Sequence, residues 1–307
     1  MDHGLAKRSG ERWGDVRHPV LNALTVDVED WYHGNDFNID FSLWDMYEDR
    51  VCNSTEKVLE ILAHYQVRAT FFVLGHVARK HPQLVRRIYE CGHEIGTHGY
   101  RHRPLYAQAP AEYREELARS TAAIEDITGQ AVRAHRAPSW SITRKSLWAL
   151  GILEEEGFDY DSSIFPVLTP LFGLRGAPRF PYRPRLGRVY AITEFPPSVV
   201  EIFGGAVRVP FSGGFFLRSL PCRFVRKAIR SLNAAGHPAM IYFHPWELDT
   251  GQPMLRAPAM ARLAHYHNLS TTEEKLRMLL REFRFGPAGE VLASTSVTAL
   301  SIGQTQG

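Results

Sequence analysis

Apolar segments alternate with amphipathic segments along most of the chain, at a spacing of about 25 residues. Short runs rich in β-branched and aromatic residues predict strands, and apolar positions three and four residues apart predict helices. The predicted strands cover residues 20–30, 69–73, 94–97, 132–137, 158–162 and 239–243, and the predicted helices cover 55–65, 77–91, 111–128, 143–156, 222–235 and 272–283. This alternation indicates βα units with parallel strands, so we predict an α/β fold, either a barrel or an open sheet.

A different pattern runs from residue 168 to residue 221, which is rich in proline, glycine, arginine and aromatic residues. We interpret this stretch as a β-rich insertion or lid within a single domain over 20–285. Residues 1–19 are polar and predict a flexible lead-in, and residues 286–307 form a tail to which no element is assigned.

The composition excludes several classes of protein. Lys and Arg number 36 against 33 Asp and Glu, and no dense basic run occurs, so nucleic-acid binding is not predicted. No run approaches the ~18 apolar residues of a membrane-spanning helix, and the polar first residues predict no secretory signal and a cytoplasmic protein. Cys52, Cys91 and Cys222 are scattered without a CxxC pair, which predicts reduced thiols and no cysteine zinc site. The oligomeric state is left open.

Polar residues follow four of the predicted strands, at the end where active sites of parallel α/β folds form. Asp27, Glu29 and Asp30 end the first strand. Like charges repel, so this cluster indicates a compensating cation, although a solvated strand end would show the same pattern. His98 and His102 follow the third strand. On a helical turn, this i, i+4 pair would present two imidazole nitrogens to a metal.

Two further strands end in residues with suitable chemistry. Arg136 could pair with a carboxylate, although taken alone it is more typical of a surface arginine beside a turn proline. His244 ends a nearly all-apolar strand, where a histidine is as often a core residue as a catalyst. Taken together, the acids, the arginine and the histidines fit metal-assisted hydrolysis. In that chemistry a carboxylate takes the proton of water and a histidine protonates the leaving group.

These residues resemble the motifs of the polysaccharide deacetylases of carbohydrate esterase family 4, the NodB-like fold. The family motifs TFDD, HSxxH or HTxxH, RxPxW or RxPxY, an acid-bearing strand and a strand ending in histidine resemble, in order, residues 25–30 (TVDVED), 98–102 (HGYRH), 136–140 (RAPSW), 159–163 (DYDSS) and 242–244 (YFH). Five motifs in order are specific, and the resemblance covers about residues 24–245. It implies a distorted (β/α) barrel of the NodB-like type with a β-rich insertion, and removal of N-acetyl groups from a glycan.

The resemblance also assigns roles. Asp27 corresponds to the catalytic base, and Arg136 would orient and ionise it. His98 and His102 correspond to ligands of a divalent metal, usually Zn²⁺, with Co²⁺ or Ni²⁺ as alternatives. His244 corresponds to the general acid.

Two assignments stay open, because the adjacent acid pair of the family is spread out here. On a continuing strand Asp27 and Glu29 share a face, which favours Glu29 as the third metal ligand, whereas Asp30 would serve if the strand has bent. Asp161, or else Asp159, would buttress the general acid. In the histidine motif a glycine replaces the serine or threonine that usually braces the loop, which leaves the hydrogen bonding of that loop open.

Four aromatic residues follow motif residues and are candidates for substrate binding by stacking on sugar faces: Trp31, Tyr32, Trp140 and Trp246. Burial in the core is the equally common alternative for such residues.

A narrower resemblance suggests a biological setting. Residues 26–33 (VDVEDWYH), 214–216 (GFF) and 265–269 (HYHNL) resemble the deacetylases of exopolysaccharide loci associated with exosortase (PEP-CTERM) systems. We therefore expect an N-deacetylase of exopolysaccharide biosynthesis. The alternatives are an allantoinase-like small-molecule amidohydrolase and a non-catalytic glycan-binding module.

Overall fold

The structure is a computed structural model that describes residues 18–169 and 172–302. The predicted lead-in lies outside the described residues as far as residue 17. The strands are β1 His18–Val28, β2 Thr70–Val73, β3 Glu94–Thr97, β4 Ala134–His135, β5 Tyr160–Asp161, β6 Tyr182–Leu186, β7 Arg188–Val189, β8 Thr193–Glu194, β9 Val199–Ile202, β10 Val207–Pro210, β11 Met240–Phe243, β12 Phe283–Gly286 and β13 Thr298–Ser301. The helices are α1 Val51–Tyr65, α2 Gly75–Lys80, α3 Pro82–Glu90, α4 Pro110–Thr128, α5 Ala149–Glu155, α6 Gly214–Ser219, α7 Cys222–Ala234, α8 Ala259–Tyr266, α9 Thr272–Glu282 and α10 Ala288–Ala293.

Most strands belong to one sheet with the order β11-β1-β2-β3-β4-β5-β8-β6-β13, in which β12 also pairs with β1 and β7 with β6. The pairs from β11 to β8 are parallel, and the β8–β6 pair is antiparallel. The prediction of an α/β fold with parallel strands is confirmed. Residues 168–221, the stretch interpreted as an insertion, supply β6, β7 and β8 to this sheet and form the separate β9–β10 pair.

Strand β1 lies between β11 and β2 and carries the first acid motif. Thr25 lies beside Tyr242 of β11 on one side and Thr70 of β2 on the other. The whole of β11 is buried, as is typical of a parallel strand that is covered on both faces. Side chains alternate along a strand, so Thr25 and Asp27 share one face of β1 near its carboxyl end.

Several predicted boundaries differ from the structure. The predicted helix 77–91 is two helices, because Pro82 lacks a backbone N–H and begins α3 at its first position. The predicted helix 143–156 begins only at Ala149. The tail over 286–307 contains α10 and β13 in its described part, and β13 pairs with β6, a long-range contact that no local pattern reveals. None of the helices in the described ranges is long and apolar enough to span a membrane.

A glycine in β3 sets the spacing between the strands that carry the site. A methyl group at Gly96 would lie 2.7 Å from Ala134 O and 2.7 Å from Phe72 Cδ1. We expect Gly96→Ala to lower the free energy of unfolding by about 1–3 kcal/mol, because these packed neighbours must move apart. Urea denaturation measures the change. The control is Gly34→Ala, where the nearest atom is 3.9 Å away, and equal stability of the two variants would contradict the prediction.

Candidate active site

The predicted site residues converge at the carboxyl ends of four parallel strands. Glu29 follows β1, His98 follows β3, Arg136 follows β4 and His244 follows β11, while Asp27 is the penultimate residue of β1. These strands belong to the run β11-β1-β2-β3-β4 of the sheet, so residues distant in sequence meet at one edge. Their positions directly after strands in the sequence therefore predicted that these residues lie close together.

Glu29, His98 and His102 form the candidate metal centre. One ligand atom from each lies within 4.8 Å of the others, and all three residues are buried. His102 Nε2 is 2.8 Å from Glu29 Oε2, an oxygen that has no hydrogen-bond partner among the described residues. Two imidazole nitrogens and one carboxylate are a donor set that suits zinc and related divalent metals. The residues present therefore fit a divalent metal.

Protonation states also suit metal binding. His98 Nδ1 is 2.8 Å from the carbonyl oxygen of Arg136, to which it donates, and this leaves Nε2 as the ligand atom. Burial lowers the pKa of His98 to about 4, so the imidazole is neutral at pH 7, as a metal ligand must be. Burial raises the pKa of Glu29, but the nearby His102 and His244 have the larger opposite effect. The pKa of Glu29 therefore lies well below its usual range.

The two histidine ligands lie on a loop and not on a helical turn. No helix covers residues 98–104, and the backbone of His102 is left-handed, with φ 52°. Gly99 has φ 76°, a conformation that glycine adopts without strain. Its N–H is 3.2 Å from Thr97 Oγ1, and its carbonyl oxygen accepts from Ser120 Oγ at 2.9 Å. Thr97 and Ser120 thus brace the loop in place of the family's serine or threonine.

Asp27 is held by the buried guanidinium of Arg136. Nη1 of Arg136 donates to Asp27 Oδ1 at 2.6 Å and to Thr25 Oγ1 at 2.8 Å, and Nη2 donates to Ser162 Oγ at 2.9 Å. Asp27 Oδ2 is left on the side of His244, whose Nε2 lies 3.9 Å away. The arginine thus orients the carboxylate and leaves one of its oxygens facing the imidazole.

His244 is paired with Glu247, and the predicted support from Asp161 is wrong. His244 Nδ1 donates to Glu247 Oε1 at 2.7 Å, and its Nε2 is 3.4 Å from Glu29 Oε1. Burial lowers the pKa of His244, but Glu29, Glu247 and Asp27 raise it by more, to about 9. The imidazole therefore carries a proton at neutral pH.

Asp161 instead serves the neighbouring strand. Its Oδ1 accepts from His135 Nδ1 at 2.7 Å and from Ser163 Oγ at 2.5 Å. Asp159, the alternative, is exposed. The sequence could not reveal these partners, because they come from β4 and from the loop after β5.

Asp30 is a structural residue, and its prediction as a possible metal ligand is wrong. Its two oxygens accept the backbone N–H groups of Trp31, Arg50 and Val51 at 2.7–2.9 Å. They join the end of β1 to the start of α1. Burial raises the pKa of Asp30 to about 6, against the opposing effect of these hydrogen bonds. Alternation from Asp27 to Glu29 persists past the strand end, which is why Asp30 points away.

The four aromatic candidates divide into two pairs. Trp31 and Tyr32 are buried in an aromatic cluster with Trp44, so the structure places them in the core and not in contact with substrate. Trp140 packs beneath the guanidinium of Arg136. The indole of Trp246 stacks on His244 and His265, and its Nε1 is 3.2 Å from Glu29 Oε1.

Glu247 and Arg218 are site residues that the sequence interpretation missed. Arg218 is buried, its Nε is 2.7 Å from Glu247 Oε2, and it donates to the carbonyl oxygens of Ala264, His265 and His267. Glu247 Oε1 also accepts the backbone N–H of His244 at 3.0 Å. A glutamate three residues after the strand end, with proline between, is a capping pattern that could have identified Glu247.

We expect Glu247→Gln to lower kcat by about 100-fold. The imidazole of His244 would lose the carboxylate that orients it and raises its pKa. Steady-state kinetics on the folded fraction measure the change. Asp161→Asn is the matched control, since it alters another buried acid paired with a histidine. The assignment fails if Asp161→Asn lowers kcat as much as Glu247→Gln does.

Comparison with known proteins agrees with this geometry. Residues 41–156 match the polysaccharide deacetylase family, and residues 162–293 match a domain of unknown function (DUF3473). Over residues 41–156, less than half of its length, the chain is thus similar to the polysaccharide deacetylases. Asp27 and Glu29 lie before the first matched segment and His244 lies within the second, so the site spans more of the chain than the deacetylase match does.

Curated relatives share part of the chain. A peptidoglycan-N-acetylglucosamine deacetylase of Bacillus cereus is 38% identical over 96 residues, which are 31% of this chain and 35% of that protein. A peptidoglycan-N-acetylmuramic acid deacetylase of Bacillus subtilis is 33% identical over 112 residues, 36% of this chain and 41% of that protein. The chain thus aligns with little more than a third of the length of these relatives.

Solved structures extend the likeness of fold to nearly the whole chain. A Mycobacterium smegmatis protein assigned to the polysaccharide deacetylases is 21% identical, with a TM-score of 0.58 and 96% of each chain covered. The Puue allantoinase is 16% identical, with the same TM-score and 92% of this chain and 91% of that chain covered. The fold is therefore the distorted (β/α) barrel type of the deacetylases. The hydrogen-bonded path of the described strands is an open arc that ends at β11 and β13.

Proposed function

We propose that this protein is a metal-dependent N-deacetylase that removes acetyl groups from N-acetylated sugars of a polysaccharide or its precursor. One observation carries the proposal. The imidazole of His244 faces both the candidate metal centre and a second carboxylate, with its Nε2 3.4 Å from Oε1 of the candidate ligand Glu29 and 3.9 Å from Oδ2 of Asp27.

The residues then divide the work of amide hydrolysis. A divalent cation held by Glu29, His98 and His102 would polarise the acetyl carbonyl and make water more acidic. Asp27 takes the proton of the attacking water through the oxygen that faces His244. As the carbon–nitrogen bond breaks, His244 gives its Nε2 proton to the departing amine, so acetate and a free amino sugar result.

Relatives support the class of substrate. The curated relatives include the two peptidoglycan deacetylases above and a chitooligosaccharide deacetylase of Bradyrhizobium that is 39% identical over 85 residues, 27% of this chain and 39% of that protein. All three names describe N-deacetylation of sugar polymers or oligomers. We propose zinc as the metal from the donor set, and exopolysaccharide biosynthesis as the setting from the sequence resemblance.

Acetate release tests the proposal. The purified chain, first stripped of metal and then supplied with Zn²⁺, Co²⁺ or Ni²⁺, is incubated with chitooligosaccharides, and acetate is assayed enzymatically. Metal-dependent acetate release is the expected result. Stoichiometric metal binding with hydrolysis of allantoin and no acetate release would instead indicate a small-molecule amidohydrolase. Absence of metal binding would overturn both enzymatic functions and leave a glycan-binding module.

A further inference from the structure

Asn35 connects two loops of the site at its rim. It begins a one-turn 3-10 helix, Asn35–Phe37, in the segment between β1 and α1. Its side-chain Nδ2 is 2.8 Å from Ser139 Oγ and 3.2 Å from His102 Nδ1. Asn35 itself is exposed, whereas His102 is buried, so the asparagine covers the solvent side of a candidate metal ligand.

The geometry restricts how His102 can bind a metal. Its Nε2 faces Glu29 at 2.8 Å, so Nε2 is the ligand atom and must carry a lone pair. A neutral imidazole has one N–H, which must then lie on Nδ1 and needs an acceptor. Among the residues that the structure describes, Asn35 lies within hydrogen-bond distance of Nδ1, at 3.2 Å.

An amide side chain can meet either requirement. Rotating the amide of Asn35 by half a turn exchanges its oxygen and nitrogen with little change in position. The amide oxygen would then accept from His102 Nδ1 and from the hydroxyl of Ser139. Partners of this kind on the far nitrogen of a ligand histidine fix its tautomer and its orientation.

We propose that Asn35 is a positioning residue for the metal centre, which acts by accepting the Nδ1 proton of His102 and so holding Nε2 ready to bind a divalent cation. The proposal rests on the metal site of the proposed function. It concerns metal affinity and assigns Asn35 no part in bond cleavage.

The test measures zinc affinity by competition with a chromogenic chelator. Asn35→Leu keeps the size of the side chain and removes its acceptor, and we expect Zn²⁺ to bind about 10–100-fold more weakly. Asn35→Asp keeps an acceptor and is expected to bind Zn²⁺ at least as tightly as the unchanged protein. Asn38→Gly is the control, because Asn38 is an exposed asparagine of the same segment with φ 50°, which glycine tolerates.

A second readout separates positioning from catalysis. With saturating Zn²⁺, kcat of Asn35→Leu should return to within about threefold of the unchanged protein, since the acceptor acts on loading of the site. The proposal is overturned if Asn35→Leu binds Zn²⁺ as tightly as Asn38→Gly, or if Asn35→Asp binds as weakly as Asn35→Leu. Failure of the unchanged protein to bind Zn²⁺ would overturn the proposed function itself.

Discussion

Replacing Asp27 by asparagine is expected to lower kcat by about 10³-fold, with the metal still bound. The asparagine keeps an oxygen for the 2.6 Å hydrogen bond from Arg136 but cannot take a proton from water. It also leaves the guanidinium of Arg136 buried without its counter-charge, so the free energy of unfolding should fall by about 3–5 kcal/mol. Acetate release by the folded variant and thermal unfolding are measured on the same sample, at a temperature where the variant remains folded.

Asp30→Asn is the matched control for this experiment. Asp30 is also a buried acid at the end of β1, but its oxygens accept backbone N–H groups and do not face His244. Asp30→Asn should lower the free energy of unfolding, while the kcat of its folded fraction stays within a few-fold of that of the unchanged protein. A folded Asp27→Asn variant that retains a tenth or more of the original kcat would show that Asp27 is not the base.

Removing the metal ligands is expected to abolish activity through loss of the metal. His98→Ala and His102→Ala should each bind less than one tenth of an equivalent of Zn²⁺ after desalting, against one equivalent for the unchanged protein. Metal analysis of the desalted protein gives this ratio. A metal at a thousand times its dissociation constant stabilises the folded state by about 4 kcal/mol, so chelation should also lower the melting temperature of the unchanged protein.

The exposed His64 of α1 provides the control for these variants. His64→Ala should retain the metal, the activity and the shift of melting temperature on chelation. If His98→Ala keeps a full equivalent of Zn²⁺, the ion binds elsewhere and the candidate metal centre is wrong. If the unchanged protein shows the same melting temperature with and without chelator, the proposed metal does not stabilise the fold.

The alternation of strands and helices was enough to predict the fold class, but not the way the sheet is completed. Local pattern indicates that β11 is buried, because its residues are nearly all apolar. It cannot show that β13 lies beside β6, since that pairing depends on contacts across the chain. The helix boundary at Pro82 is detectable in the sequence, because proline favours the first position of a helix over its interior.

For the site, position after a strand was the informative signal. It identified Asp27, His98, Arg136 and His244, which the structure brings together, and their roles remain predictions. The same signal did not identify the residues that contact these four side chains, because such residues can come from any element that packs nearby. Glu247 is the clearest case. It lies three residues after His244 and pairs with it, whereas the sequence predicted Asp161 as the partner of this histidine.

The order of strands in the sheet has a consequence for biosynthesis. β1 meets β2 early, but its other edge pairs with β11 and β12, which are translated near the end of the described chain. Pairings between strands distant in sequence form slowly, because the entropy of closing a long loop is lost before the strands gain any favourable contact. A nascent chain thus carries one open strand edge for most of translation, a hazard for aggregation that chaperones commonly shield. Under the proposed function, the site is completed only after His244 has left the ribosome, because until then this residue cannot approach Asp27 and Glu29.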